Sequence, residues 1–168
     1  MKTASSGHGN RRLEARRRYL SLLLALTPVP WISAGETTAL ISMKAQHAEH
    51  DHWEQWNPGL SIEHRESLRS PLDVSFTAGG VRDSIGNWSP HAAFGLHKQY
   101  GEWSFGLNAT LLYRQEDLQG NKVGLKFAPL PSLDYTGENF GIGLVFIPQP
   151  TDSPQDSAAL LMQLRMPL

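Results

Sequence analysis

Apolar positions alternate along most of this chain. From Val74 to Gly95 the run VSFTAGGVRDSIGNWSPHAAFG puts Val74, Phe76 and Ala78 on one side and Ser75, Thr77 and Gly79 on the other. After a turn beginning Asp83-Ser84, Ala92, Phe94 and Leu96 share one side, and His91, Ala93, Gly95 and His97 share the opposite one. Strand side chains alternate faces with period two, so this segment reads as a hairpin whose strands each have one greasy face and one small or polar face. The same alternation recurs between turn residues, and no helix-period stretch of useful length follows Ala34. Strand one runs from Thr37 to about His47, with Ala39, Ile41, Met43 and Ala45 opposite Ser42, Lys44 and Gln46. A loop rich in His, Glu and Trp extends to Asn57, and Pro58-Gly59 opens strand two, which ends in a turn at Ser67–Pro71. The hairpin supplies strands three and four. Strand five sets Trp103, Phe105, Leu107, Ala109, Leu111 and Tyr113 against Ser104, Gly106, Asn108, Thr110 and Leu112. A polar loop, Arg114 to Asn121, separates it from strand six, which starts at Val123 and runs into Pro129-Leu130-Pro131. Strand seven carries Phe140, Ile142, Leu144 and Phe146, and strand eight runs from Leu160 to Leu168 after a loop at 148–157.

Eight strands of about ten residues match the length that crosses a bilayer when tilted. Eight is also the smallest common strand number for an outer-membrane barrel. The connections after strands one, five and seven are long, and those after two, four and six are short. Short periplasmic turns and longer outer loops produce that pattern, although the short connection after strand three departs from it. Trp53, Trp56, Trp88, Trp103, Tyr113 and Tyr135 lie near strand ends, where an interfacial girdle sits. The faces opposite the large apolar rows are rich in Gly, Ser, Thr, Ala and Asn, which suits a narrow interior. The expected fold is therefore all-β: an eight-stranded antiparallel transmembrane β-barrel over residues 35–168. A soluble periplasmic barrel binding a small apolar ligand is the competing architecture. With the small face inward, Lys44, Glu63, Arg65, Lys126 and Arg165 project into the lumen. Charges in so narrow a space must be paired, so they read as structural ion pairs.

Charge and leader pattern agree with a cell outer-membrane location. Residues 1–34 carry six Lys/Arg and one Glu, whereas residues 35–168 carry nine Lys/Arg and fifteen Asp/Glu, a net of −6. An acidic barrel lacks the basic footprint of a nucleic-acid binder. Arg11, Arg12 and Arg16 to Arg18 precede a short apolar run from Tyr19, then Pro28, Pro30 and the small-residue site Ile32-Ser33-Ala34. This three-part pattern reads as a signal peptide over residues 1–34, cleaved near Ala34. The apolar run is too short for a transmembrane helix of ~20 residues. The chain has no cysteine, so no disulfide framework holds the fold.

With the N-terminus entering from the periplasm, strands one and three both run outward. Their ends, His47 and Asp83-Ser84, then meet at one rim. A hydroxyl becomes a good nucleophile when a base takes its proton, histidine is the usual base, and a nearby carboxylate can orient the imidazole. These three residues at one rim permit acyl transfer or ester hydrolysis. By strand parity Asp83 falls on the inward side, but His47 follows the outward row of Met43 and Ala45, so a bulge or one-residue shift is needed to bring it in. His50 and His52 are rival bases, and an Asp-Ser turn also has an ordinary role as turn chemistry. His47, His50 and His52 with Glu49 and Asp51 form a cluster read here as an acidic surface loop, with no metal and no soluble cofactor expected.

The run Val81-Arg82-Asp83-Ser84-Ile85-Gly86-Asn87-Trp88-Ser89-Pro90 and on to Gly95 resembles the central segment of the outer-membrane lipid A palmitoyltransferase family, an eight-stranded barrel with a Lys-Asp-Ser turn followed by Trp, Pro and Gly at matching spacing. Ala128-Pro129-Leu130-Pro131 and Phe146-Ile147-Pro148 look like two proline sites of that family. The resemblance covers roughly residues 74–168. It implies that Asp83 and Ser84 belong to the active site and that Gly95 is the inward position setting acyl-chain length. It also implies that Pro131 (or Pro129) and Pro148 interrupt strand pairing and open lateral gates for lipid, as residues without a backbone donor can. In that family the catalytic histidine lies on the first strand; the matching position here falls near Ser42, and the nearest histidine is His47. The expected function is transfer of an acyl chain from phospholipid to lipid A by a monomer whose partners are membrane lipids. A non-catalytic barrel serving structure, adhesion or lipid binding, and a lipid A deacylase on the same scaffold, are the alternatives.

Overall fold

The computed structural model describes residues 35–48, 55–116, 120–149 and 157–168. Eight strands follow one another: β1 (Glu36–His47), β2 (Trp56–Arg69), β3 (Leu72–Arg82), β4 (Trp88–Tyr100), β5 (Trp103–Glu116), β6 (Lys122–Thr136), β7 (Gly141–Ile147) and β8 (Ala159–Pro167). Each pairs antiparallel with the next, and β8 returns to β1, closing the barrel. Closure gives every strand a hydrogen-bonded neighbour on each side, the arrangement that lets strands span a bilayer. The segment read as a signal peptide, together with His50, His52 and Trp53, lies outside the described residues.

The small face is the inner one. On β5, Ser104 is fully buried while Trp103, Phe105 and Leu107 on either side are exposed. Ser61, Ser75 and Ser89 are buried in the same way, against exposed Leu60, Ile62, Phe76 and Phe94. A soluble barrel would bury its large apolar side chains. This one exposes them on the outward side of its strands, from Leu60 and Ile62 on β2 to Leu160 and Met166 on β8, which is the pattern of a lipid-facing barrel. Aromatic residues mark both ends of this outward face. Trp56, Trp88 and Tyr113 lie toward one rim; Tyr100, Trp103 and Tyr135 lie toward the other, with the Trp103 and Tyr135 rings 5.1 Å apart.

Several strands run further than the local pattern indicates. β5 continues through Arg114 to Glu116, and β6 passes straight through Pro129 and Pro131 to Thr136. Both extensions keep parity: Arg114 continues the inward row of Asn108, Thr110 and Leu112, and Asp134 that of Leu130 and Ser132. Lys44 corrects the expected set of inward charges. The register of β1 shifts between Ser42 and Lys44 against both β2 and β8. Beyond this irregularity the faces exchange: Ser42 is buried, Lys44 and Gln46 are exposed, and Ala45 and His47 are buried.

The interior has two halves. Toward the rim opposite His47, Glu63, Arg65, Asp134 and Arg165 form a buried network of two cations and two anions. Arg65 Nη2 lies 3.1 Å from Glu63 Oε1 and 2.9 Å from Asp134 Oδ2, while Arg165 Nη1 lies 3.3 Å from Asp134 Oδ1 and its Nη2 bonds Glu63. The reading of Glu63, Arg65 and Arg165 as structural ion pairs is what the fold contains. Toward the His47 rim the lining turns apolar, with Ala45, Ala159 and Leu161 packed beside Val145 and Ile147.

Candidate active site

Three strand ends build the His47 rim. The β1 bulge points His47 inward, and the turn Asp83–Asn87 after β3 brings Ser84 across from it. Ser84 Oγ and His47 Nε2 are 2.8 Å apart. Asn57, at the start of β2 and 3% exposed, donates from Nδ2 to the Arg82 carbonyl at 3.0 Å and to Ser84 Oγ at 3.4 Å. A hydroxyl has one proton to give and lone pairs to receive. In the His47 tautomer with Nε2 unprotonated, Oγ accepts from Asn57 Nδ2 and the Ser84 hydroxyl donates to Nε2. That polarity is the one a nucleophilic serine needs.

Asp83 serves the site differently from an imidazole-orienting carboxylate. Backbone N–H groups of Ile85 and Asn87 donate to its Oδ1 at 3.2 and 2.9 Å, and the Ser89 hydroxyl donates to Oδ2 at 3.0 Å. Arg114 Nε lies 3.9 Å from Oδ2. The carboxylate is spent on the turn, an Asx-type arrangement that holds the next residue, Ser84, in place. Asn57 and Arg114 are site residues that the linear reading assigned to loops. The continuing inward parity of Asn57 with Ser61 and Glu63 is the signal that was available.

Below the rim, a pocket of about 140 Å³ lined by His47, Asn57, Ser84 and Arg114 shares Val81, Leu112, Ile147 and Leu161 with a deeper cavity of about 160 Å³. Ala93, Ala128, Leu130 and Val145 line that cavity, and His97 and Asp134 reach its lower end. Ser75 on β3 pairs with Gly95 on β4 near this floor. Ser75 and Arg82 are seven residues apart on β3, about 23 Å of strand at ~3.3 Å per residue. At a tilt of ~40° that is roughly 18 Å of depth, comparable to the ~15 Å of one bilayer leaflet. Gly95 is small for a reason: a Cβ there would collide with Ser75 Oγ and Asn108 Oδ1 and meet His97 Nε2 at 2.5 Å.

The floor holds a second serine–histidine pair. Ser75 Oγ and His97 Nε2 are 2.8 Å apart, and His97 Nδ1 is 3.7 Å from Asp134 Oδ2. Its order resembles a triad, but Ser75 is fully buried and Asp134 is already shared by two guanidiniums. Chemistry there has neither an exposed nucleophile nor a carboxylate to spare, so this group is structural.

Pro131 and Pro148 fall at the seam between β6 and β7. Pairing runs only from Ser132/Val145 to Thr136/Gly141, and stops below Pro131. Above that point β6 continues against β5 alone, while β7 ends at Ile147, just before Pro148. Ala128 and Leu130 on one side of the seam, and Val145 and Ile147 on the other, line the apolar cavity. The unpaired stretch of wall therefore stands directly in front of that cavity.

No family model and no curated protein matches the chain. Among solved structures, it is similar to the outer membrane protein Ail of Yersinia pestis, whose backbone structure was obtained in a phospholipid bilayer nanodisc. The identity is 12% and the TM-score 0.48, over 80% of this chain and 99% of that one.

Proposed function

We propose that this barrel is an outer-membrane acyltransferase of the lipid A palmitoyltransferase kind, acting as a monomer with the His47 rim toward the outer leaflet. The observation that supports it is the 2.8 Å approach of Ser84 Oγ to His47 Nε2 at the mouth of an apolar cavity. A phospholipid acyl chain would enter from the bilayer through the β6–β7 seam beside Pro131 and Pro148 and extend down toward Gly95. His47 Nε2 takes the Ser84 proton as Oγ attacks the ester carbonyl. The proton then passes to the departing lysophospholipid oxygen, leaving an acyl-serine. A lipid A hydroxyl gives its proton to His47 and attacks that ester, and Ser84 is restored. Asn57 Nδ2, already directed at Oγ, is a donor for the oxyanion in both halves.

A second reading is a non-catalytic lipid-binding barrel of the same shape. The commitment of Asp83 to its turn favours it, because that carboxylate is then not the one that orients the His47 imidazole. Mass spectrometry of lipid A from cells with and without the protein decides between them. One added acyl chain, lost in both Ser84→Ala and His47→Ala, supports the transferase. One chain fewer means a deacylase, with water in place of the acceptor hydroxyl. An unchanged profile with folded protein in the outer membrane leaves the non-catalytic barrel.

A further inference from the structure

We propose that the outer wall of the barrel carries a docking site for one phospholipid with an ammonium headgroup, at the rim opposite His47. A groove of about 240 Å³ lies on β5, β6 and β7, lined by Trp103, Leu133, Tyr135, Ile142 and Leu144. All five follow the outward parity of their strands, since Ser104, Ser132, Asp134 and Gly143 beside them are buried. The groove therefore belongs to the lipid-facing surface and is separate from the lumen.

Its two ends differ in chemistry. At the strand ends Trp103 pairs with Tyr135 in register, and their rings sit 5.1 Å apart, tilted by 56°. The Tyr135 hydroxyl bonds to the carboxylate of Glu102, the exposed turn residue just before Trp103. Aromatic faces beside a carboxylate suit an ammonium group, which the rings attract through their quadrupoles and the carboxylate through its charge. Further along the strands, Leu133 and Leu144 offer only hydrocarbon, which suits an acyl chain. On the other side of Trp103, Lys98 holds its Nζ 5.1 Å over the ring of Tyr100, the register partner of Trp103. A carboxylate and a lysine flanking one aromatic rim match a zwitterionic headgroup, with ammonium toward Glu102 and phosphate toward Lys98.

The groove also covers the ladder that joins β6 to β7. That ladder runs only from Ser132/Val145 to Thr136/Gly141, and its outward pairs, Leu133/Leu144 and Tyr135/Ile142, form the groove itself. A chain docked there packs across the ladder at the foot of the open seam. Because the groove exists only in the closed barrel, the lipid stabilises the fold by mass action. Its esters lie at the rim opposite Ser84, so it is not an acyl donor, and the site stands whether or not the acyltransferase reading does. With the His47 rim toward the outer leaflet, the docked lipid belongs to the periplasmic leaflet.

The test compares two lipids that share their chains. Full-length protein folded in octylglucoside, which carries neither amine nor phosphate, is titrated with dihexanoylphosphatidylethanolamine and separately with dihexanoylphosphatidylglycerol, which has no ammonium. Amide shifts of residues 102–105 and 132–144 and the Trp103 indole signal report binding by NMR. The ethanolamine lipid should bind saturably and about five-fold more tightly, the scale of one exposed ion pair with a cation–π contact. Added salt should reduce that preference. Glu102→Gln and Trp103→Leu, both at exposed positions, should each reduce it as well. Leu144→Trp fills the groove and should weaken both lipids; Ile142→Trp serves if that variant does not fold. Equal affinity for the two lipids, a preference unchanged in Glu102→Gln, or shifts confined to the residues around His47 and Ser84 overturns the proposal.

Discussion

Neutralising Asp134 puts the buried network to the sharpest test. Its carboxylate, 2% exposed, accepts from Arg65 at 2.9 Å and from Arg165 at 3.3 Å. Asp134→Asn keeps the shape but leaves Glu63 alone to balance two buried guanidiniums. Removing one partner of a buried ion pair costs about 3–5 kcal/mol, because the remaining charge is stranded away from water. Total stabilities of domains run about 5–15 kcal/mol, so this is a large share of the whole. At a urea slope of ~2 kcal/mol per M, the unfolding midpoint should fall by roughly 2 M. The assay is urea unfolding in lipid bilayers, followed by tryptophan fluorescence. A compensating Arg65→Gln in the same chain restores the charge balance and should recover part of the loss. A fall below about 1 kcal/mol in the single variant would refute the reasoning. It would mean that water reaches the network and that the cavity has no closed floor.

On the acyltransferase reading the site yields four further expectations. Asp83→Asn should lower transferase turnover about ten-fold, since it weakens hydrogen bonds to a charged group worth ~1.5–3 kcal/mol; a loss near 10⁴, as for a triad aspartate, would show that the carboxylate acts on the imidazole. Asn57→Leu should cut kcat about 100-fold with KM unchanged, as for a lost oxyanion donor; a rise in KM alone would assign Asn57 to binding. Gly95→Ala should destabilise the barrel by about 1–3 kcal/mol through overpacking and shift the transferred acyl chain to shorter lengths, and an unchanged product distribution by mass spectrometry counts against a floor at this level. Pro131→Val restores a backbone donor at the seam, so it should raise thermal stability and slow uptake of lipid from the bilayer. Equal uptake rates in the two proteins would remove the seam as the entry route.

What the chain determined by itself is the barrel and the height of its site. Alternation of Phe76, Phe94, Phe105 and Leu107 with Ser75, Gly95, Ser104 and Gly106 is local and has period two, so two distinct faces were readable, and the small size of one suited it to a narrow interior. Strand direction alone brought His47 and Ser84 to one rim. Glu63, Arg65 and Arg165 showed as inward charges by the same parity. Tertiary structure decided the rest, because it depends on neighbours distant in sequence. His47 turns inward only because β1 shifts register against both β2 and β8 after Ser42, an irregularity with no signature in β1 alone. The same shift sends Lys44 out. Asp134 and His97 complete the floor through contacts from β6 and β4, and Asn57 reaches Ser84 across a separation of 27 residues. Which neighbour the Asp83 carboxylate holds, and where the β6–β7 ladder stops, follow from hydrogen-bond geometry. Residue order constrains that geometry, but only the closed barrel selects it.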